Sequence, residues 1–90
     1  MLFHAVWVSV QDADTGLRLQ TAHGFISEGG YIDSLHIDEG VGRAGEERPG
    51  TYEVVVFKNG YRTWRADSVV VGRDECHVQT VRFDLFLERE

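Results

Sequence analysis

The segment from Arg48 to Trp64 constrains the fold of this chain more than any other. Arg48-Pro49-Gly50 leads into an unbroken β-forming run from Thr51 to Phe57, Lys58-Asn59-Gly60-Tyr61 turns the chain, and a second extended run follows to Val71. Asn-Gly accepts the positive φ of a tight turn, so the segment predicts strand, turn and strand. Within the run Tyr52, Val54 and Val56 alternate with Glu53, Val55 and Phe57. A half-buried strand places the first set on the core and the second on the outer face.

The same period of two recurs along the chain. Val6, Val8 and Val10 alternate with Phe3, Ala5, Trp7 and Ser9 up to Asp12, and Asp12-Ala13-Asp14-Thr15-Gly16 is turn chemistry. Leu17 to Ser27 reads as a second extended segment in which Gly24 marks a weak point or a bulge. Glu28-Gly29-Gly30 turns it into Tyr31 to Asp38, whose untidy alternation reads as a sheet edge. Glu39 to Pro49, with three glycines and the only proline, is expected to be the one long mobile loop. Gly72-Arg73-Asp74 is a further turn, and Glu75 to Leu87 carries Val81, Phe83, Leu85 and Leu87 on one face. No window of helical length has an apolar stripe at helical spacing, and turn signals come at the intervals of a small antiparallel sandwich of six or seven strands.

Composition narrows the partners. Ninety residues make one domain with a single modest core, and 42% apolar with 27% charged residues lies in the globular range. Fifteen acidic against nine basic side chains give a net charge of −6, which repels phosphate backbones and anionic lipid, so nucleic acid is not an expected partner. No apolar run approaches the roughly 20 residues that span a bilayer, and the opening residues carry no basic export signal. The single cysteine, Cys76, is expected to be a small buried hydrophobe in a strand.

Three motifs carry a resemblance. Val10-x-Asp12-x-x-Thr15-Gly16, then Pro49-Gly50-Thr51-Tyr52-x-Val54-x-Val56 with Gly60-Tyr61, then Val69-x-Val71 leading to Cys76-His77-Val78 occur in order over nearly the whole chain. Together they resemble the carboxypeptidase regulatory-like domains. That resemblance implies an all-β, seven-stranded Greek-key β-sandwich of the prealbumin or transthyretin-like kind. The family often has a proline where this chain has Arg18 and a β-branched residue where it has Gly24. Its members are accessory modules beside peptidases, repeats in cell-surface proteins or free-standing bacterial proteins, often exported, so the resemblance implies an exported or periplasmic location. It implies a scaffold, and function still rests on a site.

The candidate sites are thin. A transthyretin-like hydrolase would end in Tyr-Arg-Gly-Ser, whereas this chain ends Phe86-Leu87-Glu88-Arg89-Glu90. None of His4, His23, His36 and His77 has a second histidine at i+2 or i+4 spacing, and His36 shares a face with Asp38, which is one thin pair for a metal. Asp12 and Asp14 lack the further ligands of a calcium loop, and strand neighbours Cys76 and His77 would point apart. Outward aromatics are the sharper signal: Phe3, Trp7, Val55 and Phe57 occupy outer positions that call for a cover, and Trp64 sits with Arg62 and Arg65 in a basic stripe. The expected role is a non-catalytic accessory or interaction module without cofactor. Its expected partner is a protein or a second copy of itself; a carbohydrate is the alternative, set back by the lack of a polar cluster to orient a sugar.

Overall fold

β-branched alternation becomes strand wherever one face can be buried. A computed structural model describes residues 3–90 and contains seven strands: β1 (His4–Asp12), β2 (Thr21–Glu28), β3 (Tyr31–Asp38), β4 (Val41–Glu46), β5 (Gly50–Phe57), β6 (Trp64–Val71) and β7 (Val81–Leu87). They form one mixed sheet in the order β6-β5-β2-β3-β4-β1-β7, rolled so that its two edge strands approach each other. Among the described residues there is no helix, and hence none that crosses a membrane. Val6, Val8, Val10, Ile26, Leu35, Tyr52, Val54, Val56, Leu85 and Leu87 fill the interior, so the predicted inward faces of β1 and β5 hold.

Several expectations are corrected. The segment expected to be a mobile loop, Glu39 to Pro49, contains β4, which pairs with β1 along its length. Its glycines misled because they are packing residues: Gly42, Ala44 and Gly45 are buried, and a Cβ on Gly42 would press on Ile37 and the His36 carbonyl. Glu39 and Gly40, both at positive φ, form a two-residue turn that pairs Asp38 with Val41. β3 is therefore interior rather than an edge. The sheet is mixed rather than wholly antiparallel, because β7 runs parallel to β1 over seven consecutive residue pairs.

Strand limits also shift. The run after Asn59-Gly60 enters the sheet only at Trp64, with Tyr61 held in an isolated bridge to Arg89, and the last strand begins at Val81 instead of Glu75. Cys76 lies exposed in the turn that Asp74 organises, where one carboxylate oxygen accepts the amides of Cys76 and His77 at 2.8 Å each. A buried-strand cysteine is thus excluded, because this turn occupies the stretch between Gly72 and Val81. Gly24 is not a bulge, since it pairs regularly with Leu35 and Val56. A Cβ there would run into the Val55 carbonyl oxygen, so the position admits no side chain.

A buried tyrosine organises the connection from β4 to β5. Tyr52 is 0% exposed, and its hydroxyl donates to the Arg48 carbonyl oxygen at 2.7 Å. Arg48 donates to Glu28 and to the Tyr52 hydroxyl at 3.0 Å each and lies 3.7 Å over the Tyr31 ring. Glu28 also accepts the Thr51 amide at 2.7 Å, so one carboxylate ties β2 to the start of β5.

Tyr52→Ala is expected to cost about 3 to 5 kcal/mol in denaturant unfolding, and Trp7→Ala clearly less, because only the first empties a fully enclosed site. Gly24→Ala should lower stability by about 1 to 3 kcal/mol, whereas Gly30→Ala, where a Cβ meets open space, should leave the midpoint nearly unchanged. Equal midpoints for the two glycine variants would contradict the close β2–β5 approach.

Candidate functional site

The predicted outer aromatics do not form one face. Trp7 lies on β1, with Arg43 of β4 on one side and Arg82 of β7 on the other, and the Arg82 guanidinium sits 4.2 Å from its ring centre. Val55 and Phe57 lie on β5, separated from β1 by β2, β3 and β4. Val55 is only 2% exposed, between Phe25 and Arg65 in the register, so the cover that this outer position calls for comes from within the chain. Phe57 is 41% exposed beside His23, with ring centres 6.0 Å apart. Phe3 stacks on His77 at 4.2 Å, and His77 Nδ1 is 2.7 Å from Glu47 Oε2, so this histidine is a satisfied structural group.

The basic stripe is neutralised within the chain. Arg62 pairs with Glu88 at 3.8 Å and Arg65 with Glu53 at 3.6 Å, exposed contacts of small energetic weight. Trp64 packs edge-on against Phe83 at 5.1 Å across the gap between β6 and β7. β6 is an edge strand, as the charge pattern allowed, and a bulge opposite Glu53 with Ser68 at positive φ bends it away from regular pairing. β7 carries no bulge.

Two hollows remain. A narrow one of about 210 Å³ lies at the β6/β7 gap, lined by Arg62, Thr63, Trp64, Phe86, Leu87 and Glu88. A larger open groove of about 580 Å³ lies where β3 and β4 diverge, lined by His4, Trp7, Arg18, His36, Asp38, Glu39, Val41, Gly42 and Arg43. It unites two separate sequence signals, Trp7 and the His36/Asp38 pair. His4 is among the four histidines weighed for a metal, and Glu39 and Arg43 fall in the segment read as the long loop without being marked individually, while Arg18 carries no signal because it comes from a distant segment. Among the described residues no three His, Cys, Asp or Glu side chains are arranged to hold a metal ion.

Asp12 is the one strongly perturbed group among the described residues. Its side chain is 3% exposed and accepts from the Asp14 and Thr15 amides at 2.8 and 3.1 Å, the Tyr61 hydroxyl at 2.6 Å and Arg89 Nε at 2.9 Å. The Tyr61 hydrogen bond first, then Arg89 and the two amides, hold its carboxyl well below the usual carboxylate range despite desolvation. With four donors already bound, it closes a turn and is no metal ligand.

No family model matches the chain, and no curated protein matches it.

Asp12 stays ionised in the folded protein at pH values where it protonates in the unfolded chain, near 3.9. Its stabilisation is therefore complete above that value and is lost as pH falls towards the folded pKa. In thermal melts from about pH 5 down to about pH 2, Asp12→Asn should flatten part of the wild-type decline in melting temperature. An unchanged acid slope would remove Asp12 as a source of acid sensitivity.

Proposed function

We propose that this chain is a non-catalytic interaction module on a transthyretin-like Greek-key scaffold of the carboxypeptidase regulatory-like kind, and that its partner is a protein. Two features support the scaffold. The only register pair joining β3 to β4 is Asp38–Val41, so the sheet divides naturally into a four-stranded half, β6-β5-β2-β3, and a three-stranded half, β4-β1-β7. The run β5-β2-β3-β4 also has the strand order of a Greek key. The motif residues behind the resemblance do architectural work: Asp12 binds Tyr61, and Tyr52 anchors Arg48. A resemblance of that kind speaks for a scaffold and leaves activity open.

The observation that carries the protein-binding reading is the free edge of β7. This strand pairs regularly with β1 on one side and has no strand partner on the other among the described residues. Its outward charges are engaged elsewhere, Arg82 on the Trp7 ring and Asp84 with the Ser9 hydroxyl at 2.7 Å. Phe86 stands 57% exposed beside the gap. A regular edge with no hydrogen-bonded strand partner along its length and an exposed aromatic beside the β6/β7 gap suits addition of an extended strand, and a second copy of the same edge, two-fold related, is the simplest such partner.

Light scattering over a wide concentration range tests this reading. The wild type should approach dimer mass at high concentration, and Phe86→Lys should stay monomeric with an unchanged melting temperature. A wild type that is monomeric throughout, or a dimer indifferent to Phe86→Lys, overturns self-association through this edge. A second reading, a carbohydrate-binding module, rests on a different surface, the groove beside Trp7.

A further inference from the structure

The groove at the β3–β4 divergence brings Trp7 together with charged side chains that make no hydrogen bond or ion pair elsewhere in the molecule. Elsewhere every arginine but the exposed Arg73 is paired or stacked: Arg48 with Glu28, Arg62 with Glu88, Arg65 with Glu53, Arg89 with Asp12, and Arg82 on Trp7. In the groove, Arg18, Arg43, Asp38 and Glu39 line one hollow, yet none of their side chains enters any hydrogen bond or ion pair within the described residues. The His36 ring, exposed on the same wall, is equally free. Four ionic groups of both signs therefore face one opening with their hydrogen-bonding capacity uncommitted.

The chemistry of that rim selects a ligand class. Guanidinium groups only donate, ionised carboxylates only accept, and a hydroxyl does both, so a surface dense in hydroxyls can satisfy both kinds at once. An anionic ligand would meet Asp38 and Glu39 beside the arginines, and a cationic one would meet Arg18 and Arg43 beside the carboxylates. A purely apolar ligand would strip all four charges of water without replacing their hydrogen bonds. Trp7 supplies the remaining element, an aromatic surface for the C–H face of a ring. The Arg82 guanidinium over the indole and the cross-strand neighbours on β4 and β7 hold it in place, so little side-chain freedom remains to be lost on binding. The volume, about 580 Å³, lies within the range of ligand sites, and the open form suits a chain that passes through rather than an enclosed monomer.

We infer that the groove between β3 and β4 binds a neutral, hydroxyl-rich oligosaccharide, with Trp7 as the stacking surface and Arg18, Asp38, Glu39 and Arg43 as the hydrogen-bonding rim. This inference rests on the second reading above and adds the site and the ligand class. It shares no residue with the hollow at the β6/β7 gap, so occupancy of one leaves the other free.

The test uses the full chain carrying Trp64→Phe, which leaves Trp7 as its only tryptophan. Maltotriose, cellotetraose, xylotriose and laminaritriose are titrated while the Trp7 fluorescence and indole N–H resonance are followed, with oligogalacturonate as the anionic control. At least one neutral sugar should saturate, with shifts confined to Trp7 and the residues around it. The rim variants Asp38→Asn and Arg43→Gln, exposed positions that preserve the melting temperature, should each weaken binding about tenfold or more, the usual consequence of removing a hydrogen bond to a charged group. Trp7→Phe should keep part of the affinity that Trp7→Ala loses. A sugar that binds without perturbing Trp7 and is indifferent to both rim variants overturns the site while a sugar-binding role survives. Silence from every neutral sugar overturns the site and the second reading together, and preference for oligogalacturonate overturns the ligand class.

Discussion

The Asp12 carboxylate joins three parts of the chain that are far apart in sequence. It ends β1, receives Tyr61 from the β5–β6 connection and receives Arg89 from beyond β7. A carboxylate almost wholly removed from water is tolerable only when its oxygens are fully hydrogen-bonded, and four donors converge here. Tyr61 and Arg89 also meet in a backbone bridge, flanked by the Arg62 amide on the Glu88 carbonyl and the Glu90 amide on the Gly60 carbonyl. The two edges of the sheet are thereby drawn together at one end. What remains open further along is the β6/β7 gap, with Trp64 and Phe83 packed across it.

A second polar knot works at the other side of the sheet. Glu28, Arg48 and Tyr52 fix the path by which the chain leaves β4 and enters β5 next to β2. The β3–β4 turn supplies the opposite kind of constraint. Its two positive-φ residues pair Asp38 with Val41 and then let the strands separate, and that divergence opens the groove. The residues that shape the fold and those that line the β3–β4 groove are thus largely distinct sets.

Strand faces were legible in the sequence wherever alternation ran through β-branched residues. Val6, Val8, Val10, Tyr52, Val54 and Val56 are all inward because side chains alternate along β1 and β5 and the apolar set takes the face that is buried. β4 was illegible for a specific reason: its buried positions are Gly42, Ala44 and Gly45, chosen for close approach to neighbours, and small residues carry no hydrophobic signal. Cys76 misread for the complementary reason, as an apolar-looking residue in a turn whose organiser, Asp74, works through backbone amides. Of the groove, Trp7 and the His36/Asp38 pair were visible as separate signals, while Arg18, Glu39 and Arg43 had no pattern to mark them.

The sequence by itself determined the all-β class, the turn at Asp12, the Asn59-Gly60 reversal and the inward faces of β1 and β5, because these depend on neighbours a few residues apart. Only the tertiary structure decided that β7 runs parallel to β1, that β4 lies inside the sheet, that the outer aromatics are dispersed, and that Trp7 meets two arginines, two carboxylates and two histidines at one groove. Period and turn chemistry are local, so one segment can encode them. Register between strands distant in the chain is set by packing and by buried hydrogen bonds that exist only after the sheet has closed.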